Sequence, residues 1–80
     1  MEYSKTITVY GANWCSDCKR SKRLLDSKKI EYTWIDIDNN EAALQTVKSL
    51  NQGKRIIPTI IFPNGDILVE PTDSELSLKL

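Results

Sequence analysis

The stretch KTITVYGANWCSDC, Lys5 to Cys18, decides the fold. Lys5 to Tyr10 alternates, with Ile7 and Val9 on one face and β-branched threonines on the other, which is the pattern of a strand. Gly11, Ala12 and Asn13 supply a loop, and from Cys15 to Lys28 the residues favour helix. The inner stripe of that helix is thin: Cys18, Ser21, Leu24 and Leu25 share one side at helical spacing. The two cysteines therefore fall where a strand hands over to a helix. A thiol there faces unpaired backbone N–H groups and the positive end of the helix dipole, both of which favour thiolate. Cys18, one turn further in, lies on the same side and can attack a mixed disulfide formed at Cys15. Asp17 opposes the dipole, but an exposed charge at that range costs a thiolate only about 0.5–1 kcal/mol, and Lys19 and Arg20 offset it.

Outward from this junction, Glu31 to Asp36 (EYTWID) is a second strand, aromatic and β-branched. Asn39 or Asn40 caps a second helix, with Glu41 in its first turn and Ala43, Leu44, Val47 and Leu50 facing inward. Asn51-Gln52-Gly53 ends it. The run Ile56 to Phe62 (IIPTIIF) reads as an interior strand, Asn64-Gly65 as a two-residue hairpin, and Ile67-Leu68-Val69 as its return. Thr72 with Glu75 forms a capping box, Pro71 packs on Leu76 as a staple, and Leu76 and Leu80 share a face of a short last helix. The order β-α-β-α-β-β-α implies one parallel crossover pair and one antiparallel hairpin. The result is an α/β fold: a mixed four-stranded sheet with helices on both faces, in one domain spanning residues 1–80.

Composition narrows the function. The 80 residues carry 11 Lys and Arg against 11 Asp and Glu, so net charge favours neither nucleic acid nor an anionic membrane. No apolar run is long enough to span a bilayer and no secretory leader is evident, so a cytoplasmic location is expected. A disulfide closing so small a loop as Cys15–Cys18 would be a poor structural staple. A close pair in a reducing compartment reads as redox-active or metal-binding. With two cysteines and no histidine, a single chain lacks the ligands for a mononuclear site. Pro58 would be costly in a central strand unless its missing N–H falls at an unpaired position. A cis bond from Ile57 would set that backbone beside the thiols, open to an extended substrate.

Taken together, the strand ending Val9-Tyr10, the Trp14-Cys15-Ser16-Asp17-Cys18 motif, the Asn-x-Gly-x-Arg-x-x-Pro-Thr of residues 51–59 and the Gly65…Pro71-Thr72 ending resemble the glutaredoxin branch of the thioredoxin superfamily, and in particular mycoredoxins. The resemblance covers essentially the whole chain and implies a thioredoxin-like (glutaredoxin) fold. It implies Cys15 as nucleophile and Cys18 as resolving cysteine in a dithiol oxidoreductase that reduces protein disulfides or mixed disulfides with a small thiol. Pro58 matches the cis-proline, and Ile57 the residue whose backbone pairs with a bound thiol peptide. Arg55 matches a position where a basic side chain meets a substrate carboxylate. Thr72 and Asp73 match the start of the last helix, which faces the substrate's other end. Trp14 either shields the thiolate and contacts a partner or simply covers the helix end.

The chain also departs from glutathione-dependent members. It has Ala12 where they carry lysine, Val69-Glu70 where they carry Gly-Gly, and Ser16-Asp17 where Pro-Tyr is common. These departures point away from glutathione as reductant. They point toward another low-molecular-weight thiol such as mycothiol, or toward a thioredoxin-reductase-like flavoprotein drawing on NADPH. A monomer with no tightly bound cofactor or metal is expected. Two alternatives stay open: an iron–sulfur carrier bridged through Cys15 as a dimer, and a redox-inactive binding module.

Overall fold

Alternation in the first strand decides which helix lies on which side of the sheet. The computed structural model describes residues 6–80, so the expected strand start at Lys5 lies outside the described residues. The elements run β1 (Ile7–Gly11), α1 (Ser16–Ser27), β2 (Tyr32–Asp36), a 3-10 turn (Ile37–Asn39), α2 (Glu41–Leu50), β3 (Thr59–Ile61), β4 (Ile67–Val69) and α3 (Asp73–Ser77). The sheet order is β2-β1-β3-β4, with β1 parallel to β2 and the other pairs antiparallel.

Ile7 and Val9 are buried with Leu25 of α1, Ile60 of β3, Phe62 and Leu76 of α3. The opposite face presents Tyr10 and Ile35 to a second cluster that includes Ala43 and Val47 of α2. Helices α1 and α3 touch one another, so they share the first face while α2 covers the second. The buried positions of each helix follow its period: Cys18, Ser21 and Leu25 in α1, Ala43 and Val47 in α2.

Local chemistry sets the boundaries. Asn40, not Asn39, caps α2, its side chain accepting the Ala43 N–H at 3.0 Å. Asn39 instead ends the 3-10 turn, which the sequence reading did not include. The Thr72–Glu75 capping box is present in both directions, at 2.8 and 3.1 Å. At the end of α2, Gln52 (φ 59°) and Gly53 (φ 87°) both turn left-handed, and Gly53 N–H reaches back to the Lys48 carbonyl at 2.6 Å.

Five expectations are corrected. Gly11 is the last residue of β1, paired with Asp36, because β2 extends far enough to hold it in the ladder. Leu50, the last residue of α2, is 38% exposed although it stands at helical spacing from the buried Ala43 and Val47, because the helix stops with it. Leu80 lies beyond α3 and is 37% exposed, while Leu76 alone of that pair is fully buried. The interior strand is only Thr59–Ile61. Pro58 has no N–H to give to a ladder, and Thr59 turns its hydroxyl back onto the Ile56 carbonyl at 2.8 Å, so Ile56–Pro58 forms a loop instead. The β3–β4 connection runs through residues 62–66 rather than two residues, because Pro63 cannot donate and Asn64 accepts the Asp66 N–H at 3.0 Å.

The loop before β3 is held from α2. Asn51 donates from its side-chain amide to the Val47 carbonyl at 2.8 Å and to the Thr59 hydroxyl at 3.1 Å. Thr59 itself is fully buried. Replacing it by the isosteric Val removes both hydroxyl bonds and leaves polar partners inside the protein. Thr59→Val is expected to cost about 1–3 kcal/mol, read as a lowered urea midpoint at unchanged m-value.

Candidate active site

The strand-to-helix junction places the two sulfurs by an ordinary helix-capping geometry with an unusual acceptor. Cys15 is the N-cap of α1, with extended backbone (φ −81°, ψ 116°), and its sulfur accepts the Cys18 N–H at 3.2 Å. The position more often carries a serine, threonine or aspartate oxygen. Cys15 N–H in turn donates to the Ala12 carbonyl at 3.2 Å, which closes the turn. Both cysteines are free thiols. Cys15 keeps 8% of its surface, whereas Cys18 keeps none. The cluster around them contains Ala12, Ile37 and Ile57. The Ile57–Pro58 bond is cis, as the motif implied, and Ile57 belongs to that cluster.

Gly11 makes the close packing of this end possible. A Cβ built there would lie 2.6 Å from the Cys18 sulfur and 2.7 Å from the Trp34 ring, distances at which neither neighbour could stay. Trp34 crosses from β2 to cover the same spot, and the Lys22 ammonium sits 3.9 Å from its ring centroid. The sequence alone places Gly11 in a loop, because the demand for a bare α-carbon beside a sulfur has no sequence signature of its own. Burial, above all, pushes the Cys18 thiol up to about 12, with the hydrogen bond and charge of Cys15 adding in the same direction. Cys18 is therefore a neutral thiol at physiological pH.

Two arginine-centred groups take in Trp14 and Asp17, the chain neighbours of the two cysteines. In one, Arg55 pairs with Asp38 at 2.6 Å, and the other oxygen of Asp38 accepts the Trp14 indole N–H at 2.6 Å. The Arg55 guanidinium also lies 5.4 Å over the Trp14 ring. In the other, Arg20 pairs with Asp17 at 3.2 Å and Asp73 at 3.5 Å, and donates to the Pro71 carbonyl at 3.3 Å. The charge of Asp17 is thus met by Arg20, while Lys19 is exposed. Thr72 sits beside Asp73 with its N–H held by the Glu75 carboxylate at 2.8 Å. Glu70, where the resemblance puts a glycine, adopts φ 48° and donates its N–H to the Pro58 carbonyl at 2.9 Å.

Asp38 is the residue the sequence reading missed. Glu31, Asp36 and Glu41 surround it in the chain, and nothing in the sequence separates it from them; the 3-10 turn directs this carboxylate toward Trp14 and Arg55. A separate open cleft of about 420 Å³, lined by Ile7, Ile30, Phe62 and Leu80 among others, lies at the opposite end of β1 from the cysteines. Among the described residues no cluster of three or more His, Cys, Asp or Glu could hold a metal ion. None of the described helices is long and apolar enough to cross a membrane.

A parallel–antiparallel four-stranded sheet with helices on both faces, a C-x-x-C pair opening the first helix and a cis-proline before the third strand define a thioredoxin-like dithiol protein. Residues 7–68 match the Glutaredoxin family, and the chain belongs to it. It is 39% identical over 74 residues to a protein of Mycobacterium tuberculosis named as a glutaredoxin, covering 92% of this chain and 88% of that one. With Mycoredoxin 1 of Corynebacterium glutamicum it shares 36% identity over 74 residues, 92% of this chain and 91% of the relative. The solved structure of the glutaredoxin-like protein NrdH-redoxin from Escherichia coli superposes with a TM-score of 0.78 at 22% identity, covering 91% and 92% of the two chains. Family and neighbouring cysteines together fit a thiol–disulfide oxidoreductase.

Two outcomes are expected of this geometry. Gly11→Ala should destabilise the fold by about 1–3 kcal/mol through overpacking, and should speed alkylation of Cys18, followed by mass spectrometry. The raised Cys18 value means the folded state holds its proton more tightly than the unfolded chain does. Stability from this group is therefore complete below about pH 9 and is lost as pH rises toward 12. Urea midpoints of the reduced protein between those limits should fall more steeply than those of Cys18→Ala.

Proposed function

We propose that this chain is a dithiol reductase of protein disulfides, or of mixed disulfides between a protein and a small thiol, with Cys15 as nucleophile and Cys18 as resolving thiol. The observation that carries the reading is the cap itself. The Cys15 sulfur occupies the helix N-cap as a hydrogen-bond acceptor, and the residue donating to it is the one that bears the second sulfur. An acceptor in that place gains from negative charge, through the N–H and through the dipole.

The Cys15 thiolate attacks one sulfur of R–S–S–R′, forming the Cys15–S–S–R bond and expelling R′S⁻, which takes a proton from water. Cys18 then attacks the Cys15 sulfur; its proton passes to the departing RS⁻, and the Cys15–Cys18 disulfide forms. Two electrons have moved from the dithiol to the substrate. Two electrons and two protons from an external thiol (mycothiol or glutathione), or from a flavoprotein reductase drawing on NADPH, restore the dithiol; Cys15 gives its proton back to water, replacing the one that R′S⁻ took, and the starting thiolate returns. Mycoredoxin and NrdH among the relatives support a thiol-based reductant of this kind. A Cys18 that stays neutral until the mixed disulfide has formed suits a resolving role, since it does not compete for the first attack.

In this reading Trp14 and Arg55 bound one side of the substrate and Thr72 and Asp73 the other. The backbone of Ile57, beside Pro58, pairs with an extended segment of the substrate. The protein works as a cytoplasmic monomer and needs no resident cofactor.

Cys15→Ser is expected to reduce disulfide turnover to background. Cys18→Ser should still make the first attack and accumulate a mixed disulfide, seen as one substrate-half adduct per chain by intact mass. An active Cys15→Ser variant, or wild-type protein that forms no Cys15–Cys18 bond under mild oxidant, would sink the assignment.

A further inference from the structure

Among the charged groups around the sulfurs, one carboxylate is placed to control which substrates can use the site. Asp38 spans two partners at once: its Oδ1 accepts from Arg55 Nη2 and its Oδ2 from Trp14 Nε1, each at 2.6 Å. Its own N–H donates to Asp36 Oδ1 at 2.8 Å, which fixes the turn that carries it. Arg55 lies over the Trp14 ring, and Trp14, 62% exposed, is the residue before the nucleophile. The cation over that indole is therefore already paired within the chain.

We propose that Asp38 is a specificity-determining residue: by occupying Arg55 and Trp14 it makes the Cys15 site disfavour disulfides that bring a carboxylate to Arg55. The inference rests on the disulfide-reductase reading above and names the substrate chemistry it selects. A carboxylate reaching Arg55 must share a guanidinium whose Nη2 is engaged and must lie close to a second negative charge. A neutral or amidated group at the same place meets no such opposition. Selection of this kind acts through an attractive pair that is already made, not through a steric block, so removing one charge should relax it. The pair is partly exposed, at 37% and 36% for the two side chains, so the effect is that of a screened surface pair.

The test uses the full chain and two substrates that differ in one group: glutathione disulfide and the disulfide of glutathione glycyl ethyl ester. The readout is the ratio of their KM values. Asp38→Asn should lower that acid-to-ester ratio by about fivefold, with the change in KM rather than kcat. Adding Arg55→Ala to Asp38→Asn should return the ratio toward its starting value, because the freed cation is gone. High salt should shrink the difference between wild type and Asp38→Asn. Far-UV circular dichroism checks that both variants fold.

An unchanged ratio in Asp38→Asn overturns the proposal, as does a gain that survives Arg55→Ala. In either case, continued turnover of the ester by the parent protein leaves the reductase reading intact. If the parent turns over neither peptide nor hydroxyethyl disulfide, both readings fall together.

Discussion

The reactive end of this protein rests on a close approach between a strand and a helix at Gly11. A strand residue normally fills the space above its backbone with a side chain, and here a single carbon would collide with both the Cys18 sulfur and the Trp34 ring. With that space left open, α1 can begin directly against the end of β1. Its first turn then packs under Trp34, and Cys15 reaches the N-cap position, where its sulfur accepts an amide N–H. Shift the helix outward by the width of a methyl group and the cap, the burial of Cys18 and the contact with Ile57 would all change together.

The same arrangement makes two chemically identical side chains unequal. One sulfur terminates a row of helix dipoles and keeps a small opening to solvent; the other is enclosed, and burial holds its proton. The inequality needs no third residue, only this difference of depth across one helical turn. The surrounding charges are arranged so as not to disturb it. Asp17 is met by Arg20, and Asp38 by Arg55 and Trp14. As pairs, these charges largely cancel beyond their own contacts.

Much of this was legible in the sequence, because local rules governed it. Alternation set β1, the Thr72–Glu75 spacing set α3, and the C-x-x-C at a strand–helix junction set the sulfurs. What escaped was decided by contacts between distant segments. Gly11 looked like a loop residue because its pairing depends on how far β2 extends. The β-branched run from Ile56 to Phe62 looked like one long strand because the bond from Thr59 to Ile56, supported from Asn51, is invisible to propensity. Leu50 fits the helical period yet stands exposed, because it is the final residue of α2 and period alone does not say where neighbouring elements stop covering a helix. Asp38 was one acid among several until the 3-10 turn gave it a direction.

Strand β4 carries a further consequence, for association between copies. Among the described residues it is the last strand of the sheet, pairs with β3 alone, and shows Ile67 and Val69 half-open to water. An apolar edge of that kind is a template onto which another chain could add a strand and begin to aggregate. Here the template is three residues long and stands between Pro63 and Pro71, neither of which can donate to an intermolecular ladder. Extension is thus stopped at both ends by the covalent structure of the chain.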